Sequence, residues 1–380
     1  MPGPARAGRL DFADIVRAHR AELESVSKLN RQQRRVLTDI ANCRTATLGG
    51  HLDRCTRCGY EHPAYNSCRN RHCPKCQALA QENWIDDQRV RMLDVRHFHV
   101  VFTLPAELRP LSAFAPRAVY NALFHAAAGT LKAFARTRLS ATIGATLVLH
   151  TWTRRLELHP HVHAIVTGGG LSDDGMLWQS AGAGFLFPVK AMSRVFRAKM
   201  LAALRRANAH DAFRGFFDFR DPEGFRWLMR AVASLSWHVY AKPSFSRGHY
   251  VLHYLGRYTH RVGLANSRLC TVSAAAVTFR TKGSGTATVS PVELLRRFVQ
   301  HVLPDRFHKI RHVGLYASPA LRELAQRSLD LPKPSRARKL SWHERLTALT
   351  GRDVSRCPLC ATPLLSLLLP PARAPPRVAA

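Results

Sequence analysis

The chain has 380 residues, enough for two or three domains with a sizeable core. Lys and Arg number 57 against 25 Asp and Glu, a formal net charge of +32 that runs along the whole length. A surplus of this size repels itself unless a polyanion relieves it, so nucleic acid is the expected partner. No basic amphipathic helix stands out that would favour an acidic membrane surface. No apolar run approaches the roughly 18 residues of a membrane span, and MPGPARAGRLDFADIV lacks the apolar core of a signal peptide. A cytoplasmic protein with no membrane partner is expected, in which nine cysteines point to metal ligation before disulfides.

Residues 12–40 read as polar and helical. Residues 43–76 hold six cysteines and little periodicity, as a small metal-folded module would. Residues 78–95 form a connecting helix, and HFHVVFTLP at 97–105 is a strand stopped by proline. An amphipathic helix over 116–138 puts Val119, Leu123, Ala127, Leu131 and Phe134 on one face. ATLVLHTW at 145–152 and HVHAIVTGGG at 161–170 are strands, and LSDDGMLW carries the Asp-Gly turn of a hairpin. A basic helix follows at 189–206, then a tyrosine-rich segment near 249–261, then strand-like CTVSAAAVTFR and GTATVSP. This order suits an α+β fold with a mainly antiparallel central sheet flanked by helices. From about 330 the chain turns proline-rich and basic, carries Cys357-Pro-Leu-Cys360, and ends in PPARAPPRVAA, a composition expected to be disordered.

Cys55-Thr-Arg-Cys58 and Cys73-Pro-Lys-Cys76 are two C-x-x-C knuckles separated by a loop long enough to close one tetrahedral Zn²⁺ site. Cys43, His51, Cys68 and His72 lie close by and could complete a second structural zinc. Cys357 and Cys360 make half a site whose partner would come from elsewhere. Cys270, in a strand-like run, reads as a core residue.

His161-Val162-His163 places two imidazoles on one face of a strand, where they can share a metal ion. His97-Phe98-His99 repeats the pattern. The 161/163 pair is favoured because AIV carries its strand into a core and GGG allows close backbone approach. His150, on the preceding strand, is a candidate third ligand. Tyr250, Tyr254 and Tyr258 recur every four residues, the spacing of one helix face. Such stripes are commonly core, but Arg257, His260 and Arg261 interleave with this one and suit a bound phosphodiester.

CRTATLGGHLDRC, YNSCRNRHCPKCQ, HVVFTLP, LHTWTRRLELHPHVHAIVTGGG, WHVYAKPSF and YLGRYTHRVGLANSRL fall in order over about residues 40–270. Together they resemble the rolling-circle transposases of the insertion-sequence IS-ninety-one family, which join a zinc module to an HUH (His-hydrophobic-His) nuclease domain with a tyrosine helix. The resemblance implies a metal pair at His161 and His163, nucleophiles at Tyr254 and Tyr258, and a catalytic Mg²⁺ or Mn²⁺. It further implies a 5′-phosphotyrosine intermediate on single-stranded DNA, with element ends and target as partners, in a bacterial, nucleoid-associated setting. The domains so implied are an N-terminal helical segment (1–40), a zinc-binding module (41–80), an HUH-type catalytic domain (81–330) and a basic, proline-rich tail (331–380). Rival readings are a plasmid replication initiator or relaxase of the same chemistry and a non-catalytic zinc-module DNA-binding regulator. A tyrosine recombinase built on His308, Arg311 and Tyr316 is a further rival, but it leaves His161 and His163 unused.

Overall fold

The structure, a computed structural model, describes residues 10–182, 186–217, 222–245, 256, 263–333 and 340–372. In chain order, helices α1 (Phe12–Val26) and α2 (Arg31–Asn42) lead to strands β1 (Gly50–Arg54) and β2 (Glu61–Tyr65) and helix α3 (Ala78–Arg91). Strand β3 (His97–Thr103), helices α4 (Arg109–Phe114) and α5 (Pro116–Leu139), and strands β4 (Ala141–Trp152), β5 (Leu158–Ser172) and β6 (Trp178–Ser180) come next. Helices α6 (Val189–Ala209) and α7 (Pro222–Ser234) precede β7 (His238–Phe245). Then follow β8 (Leu269–Val272), β9 (Val277–Arg280), β10 (Thr286–Val289), α8 (Pro291–Val299) and β11 (Ile310–Gly314). Helices α9 (Pro319–Ser328) and α10 (Trp342–Thr350) and strand β12 (Leu365–Leu369) complete the order. No described helix is long and apolar enough to cross a membrane.

The chain divides into a larger unit, 84–259 with 303–336, and a smaller one, 1–83 with 260–302 and 337–380. In the larger unit one antiparallel sheet runs β11-β4-β5-β3-β7, with β6 added beside β5. The period-two rule sorts its side chains. Phe98, Val100 and Phe102 of β3, Ala145, Leu147 and Leu149 of β4, and Val162, Ala164 and Val166 of β5 enter one core. Helices α5 and α6 cover that face with Val119, Leu123, Ala127, Leu131, Phe196 and Met200, all buried. Each Leu or Phe sealed there contributes about 1.5–3 kcal/mol. Helix α5 opens on Pro116, whose missing N–H is harmless in a first turn, and stops at Ser140, which is left-handed with φ 45°. The Asp-Gly turn forms as expected: Gly175 adopts φ 75° and its N–H donates to the Ser172 carbonyl at 2.9 Å.

In the smaller unit, the Asp11 side chain caps α1 by accepting from the Ala13 N–H at 3.0 Å, and Asn30 with Gln33 forms a capping box on α2. Phe12 of α1 meets Phe298 of α8 with ring centroids 4.6 Å apart. Two three-stranded antiparallel sheets complete the unit, β12-β1-β2 and β10-β9-β8. Residues 263–302 cluster with this unit. The expected tail holds a helix and a strand: Ser341 and Glu344 form a capping box on α10, and β12 pairs with β1 from Gly50↔Leu369 to Arg54↔Leu365. Proline and arginine content masks these two signals, a capping box and a Leu-rich strand. Cys270 is exposed rather than core, because in β8 it is Leu269 that turns inward.

Candidate metal centres

The face of the large sheet away from α5 and α6 carries the histidines. His150 of β4 pairs in register with His161 of β5, and His163 follows two residues on, so alternation puts all three rings on one side. Their ligating nitrogens lie within 4.8 Å of one another. Ring centroids are 4.2 Å apart for His150–His163, 5.3 Å for His150–His161 and 4.9 Å for His161–His163. His161 Nδ1 donates to the His159 carbonyl at 2.6 Å, which settles the tautomer and leaves Nε2 to accept a metal. His163 Nδ1 lies 2.7 Å from His99 Nε2, and in the tautomer where His163 Nδ1 is the donor its Nε2 is left for a ligand.

These imidazoles are held neutral. Burial lowers His161 to about 4; it lowers His163 to about 2, with help from the positive fields of His161 and His99; and it takes His150 well below the usual range. A metal needs this state, since only a neutral imidazole offers a lone pair. Cations border the group. Lys242 of β7 sits opposite His99 in the ladder, Lys309 lies over the Trp152 ring at 5.6 Å, and Trp152 stacks on His150 at 5.2 Å. Arg109 Nη2 is 3.4 Å from His159 Nδ1. Three neutral rings that could hold a metal ion thus stand beside several cations.

The His97-Phe98-His99 pair divides its roles. His99 supports His163, whereas His97 is fully buried with Nε2 2.6 Å from the Tyr316 hydroxyl. Tyr316 is itself 1% exposed and receives the Leu93 N–H at 3.3 Å, and burial raises its phenol well above the ordinary tyrosine range. That environment removes Tyr316 as a nucleophile, and Arg311 hydrogen-bonds Asn121 rather than the tyrosine. Tyr250, Tyr254, Arg257, Tyr258, His260 and Arg261 lie outside the described residues.

The cysteines assemble in two fours, and not as the sequence spacing implied. Cys43, Cys68, Cys73 and Cys76 form one cluster, with Sγ–Sγ distances of 3.3 Å for Cys43–Cys76 and 3.6 Å for Cys68–Cys76. Cys55, Cys58, Cys357 and Cys360 form the other. The expected set of Cys55, Cys58, Cys73 and Cys76 is therefore divided, because β1 carries its knuckle to β12 rather than to the Cys73 loop. Neither expected histidine joins a cluster: His51 Nε2 faces Asp53 at 3.5 Å and His72 Nδ1 faces Asn70 Oδ1 at 3.0 Å. The signal that finds this arrangement is arithmetic, since setting aside Cys270 leaves eight cysteines, two complete tetrahedra. The Cys43 cluster has the donor set of a structural zinc, four sulfurs with no open position.

Two family models match the chain. Residues 15–104 match the family described as a transposase zinc-binding domain, and residues 144–323 match the family described as "Putative transposase". The "Putative transposase y4qJ" of Sinorhizobium fredii is 42% identical over 378 residues, 94% of this chain and 94% of that protein. The "Transposase for insertion sequence element IS801" of Pseudomonas savastanoi pv. phaseolicola is 31% identical over 340 residues, 85% of this chain and 80% of that protein. No solved structure matches the chain.

Proposed function

Because this chain belongs to the IS91 family of insertion-sequence transposases, we propose that it nicks and rejoins single-stranded DNA at its three-histidine face, with Tyr254 and Tyr258 as nucleophiles. The observation that carries this reading is the convergence of His150, His161 and His163 on one face of neighbouring strands. They would hold a divalent cation, and an all-imidazole set suits Mn²⁺ better than Mg²⁺, which prefers oxygen. Such an ion, when bound, polarises a phosphate oxygen and offsets the charge that builds up in the transition state.

The chain's own groups do the rest. His159 and His99 orient the ligating rings, and Lys242 and Lys309 lower the cost of bringing a phosphate to them. A tyrosine Oη bonds to phosphorus as the bond to the 3′ oxygen breaks. The phenolic proton passes to solvent and the leaving oxygen gains one, giving a 5′-phosphotyrosine and a free 3′-hydroxyl. The reverse step rejoins strands with no nucleotide cofactor, in keeping with a sequence that has no G-x-x-x-x-G-K-[ST] loop. Two tyrosines four residues apart support two attacks in turn, each holding one end.

The test is to incubate the protein with labelled single-stranded element ends and Mn²⁺ or Mg²⁺ and look for a covalent band on a denaturing gel. The band is expected to map to Tyr254 or Tyr258 and to vanish in the Tyr254→Phe/Tyr258→Phe double variant, while Tyr250→Phe behaves as wild type. An adduct on another residue, or none in a protein that still transposes, overturns the assignment. Metal-independent binding with neither cleavage nor adduct would instead mark a regulator.

A further inference from the structure

The second cysteine cluster takes no part in this chemistry. We propose that Cys55, Cys58, Cys357 and Cys360 are a second tetrahedral zinc site, in which one ion ties the C-terminal segment into the N-terminal module. Two knuckles of the same local geometry carry it. In the first, the Cys55 N–H donates to the Tyr60 carbonyl at 2.8 Å, and the Gly59 N–H donates back to the Cys55 carbonyl at 3.1 Å. In the second, the Cys357 N–H donates to the Thr362 carbonyl at 2.8 Å, and the Ala361 N–H donates to the Cys357 carbonyl at 2.9 Å.

The fifth residue is left-handed in both, with φ 71° at Gly59 and φ 57° at Ala361. A non-glycine residue in that region is uncommon, so Ala361 holds its conformation against a local cost. The flanking residues also match, for Arg54 pairs with Glu61 and Arg356 with Pro363, both antiparallel. Each turn presents two sulfurs on one side, and the β1–β12 ladder sets the turns facing each other.

The sulfur geometry fits a shared ion. Sγ–Sγ distances are 3.4 Å for Cys55–Cys360, 3.5 Å for Cys58–Cys357 and 3.6 Å for Cys58–Cys360, and all four sulfurs lie within 4.8 Å. Disulfides require about 2.05 Å. Zinc with bonds of about 2.3 Å spaces its sulfurs by roughly 3.8 Å. The surrounding sheet also needs help. Four of five residues of β12 and three of five of β2 are exposed, so little apolar surface is buried to hold the ribbon together. A structural metal supplies binding energy that such a ribbon otherwise lacks.

The test counts metal in the full-length protein. Wild type is expected to carry two zinc ions per chain, and Cys357→Ser/Cys360→Ser one. Cys68→Ser/Cys73→Ser should also carry one, with the Cys55 cluster still loaded. Retention of two ions by the Cys357/Cys360 variant overturns the site. Should that variant lose both ions through misfolding, cadmium-113 NMR of the exchanged wild type decides. Two resonances in the four-sulfur range uphold the proposal, and a single one refutes it. An iron–sulfur chromophore in the protein as isolated would refute zinc as the occupant.

Discussion

The histidine face and the cysteine ribbon bring ligands together by different means. His150, His161 and His163 stand on strands whose opposite face is sealed by Leu147, Leu149, Val162 and Ala164, each at most 1% exposed. Core packing places those rings, whatever binds them. In the ribbon, β2 and β12 are largely exposed, and the knuckles come from opposite ends of the chain. There the ion is part of what holds the elements in place. A metal can thus be added to a finished scaffold or help to make one, and the two cases fail differently.

The largest effect separates them directly. Stripping zinc with a strong chelator at neutral pH should remove hydrogen-exchange protection from β1, β2 and β12, since structural zinc contributes on the order of 10 kcal/mol. Amides of β4 and β5 should stay protected. Equal loss in both units would break the comparison.

Next in size is ligand removal at the histidine face. His161→Ala or His163→Ala should cut strand cleavage by roughly 10³-fold, the worth of several kcal/mol of transition-state stabilisation. Folding should be little changed, because the rings lie outside the α5/α6 core, and DNA affinity should persist because lysines and arginines supply most of it. A variant that folds normally and still cleaves would show that these histidines are not the metal centre.

The difference also explains what could be read from the sequence. His161 and His163 were legible because period-two alternation within one strand is local. His150 needed only the neighbouring strand, though the bulge between His150 and Trp152 that sets its register leaves no mark in the sequence. His99 was not assignable, since β3 joins β5 only after α5 and β4 intervene, and pairing at that separation is decided by packing. The knuckles were legible one by one as C-x-x-C. Their partnering was not, because any two half-sites satisfy a tetrahedron and the choice rests on β1 pairing with β12 across nearly the whole chain. Helices α5 and α6, the first carried by the apolar stripe from Val119 to Phe134, were legible to within a few residues, whereas α4, α7 and α9 were not anticipated.

A smaller effect tests how firmly the larger unit is prepacked. Burial lowers His97 to about 4, against an ordinary value near 6.5. Between those values the unfolded chain takes up a proton that the folded chain refuses. Stability from this group is therefore intact above about pH 6.5 and falls as the pH drops toward 4. At pH 5 the loss should be about 2 kcal/mol. Urea unfolding followed through Trp84, Trp152, Trp178, Trp227 and Trp237, all in the larger unit, would measure it. His97→Gln should show a smaller drop between pH 7 and pH 5, and an unchanged drop would reassign the acid sensitivity.

The smallest effect concerns His99, which sits at 2.7 Å from His163 Nδ1 with its ring nearly parallel at 6°. On this geometry it supports a ligand rather than serving as one. Such supports are worth about 10–100-fold in metal affinity, or 1.4–2.8 kcal/mol. His99→Ala should therefore weaken Mn²⁺ binding by about tenfold in calorimetry, while His163→Ala removes most of it. His99→Gln, whose amide can still reach His163, should recover part of the loss. A purely orienting His99 affects affinity and not chemistry: at saturating Mn²⁺, His99→Ala should regain most of its cleavage rate, whereas His163→Ala should not. If His99→Ala fails to recover with added metal, His99 acts at the phosphate itself, and the histidine face is a four-ring site in which packing has prepared more than a metal seat.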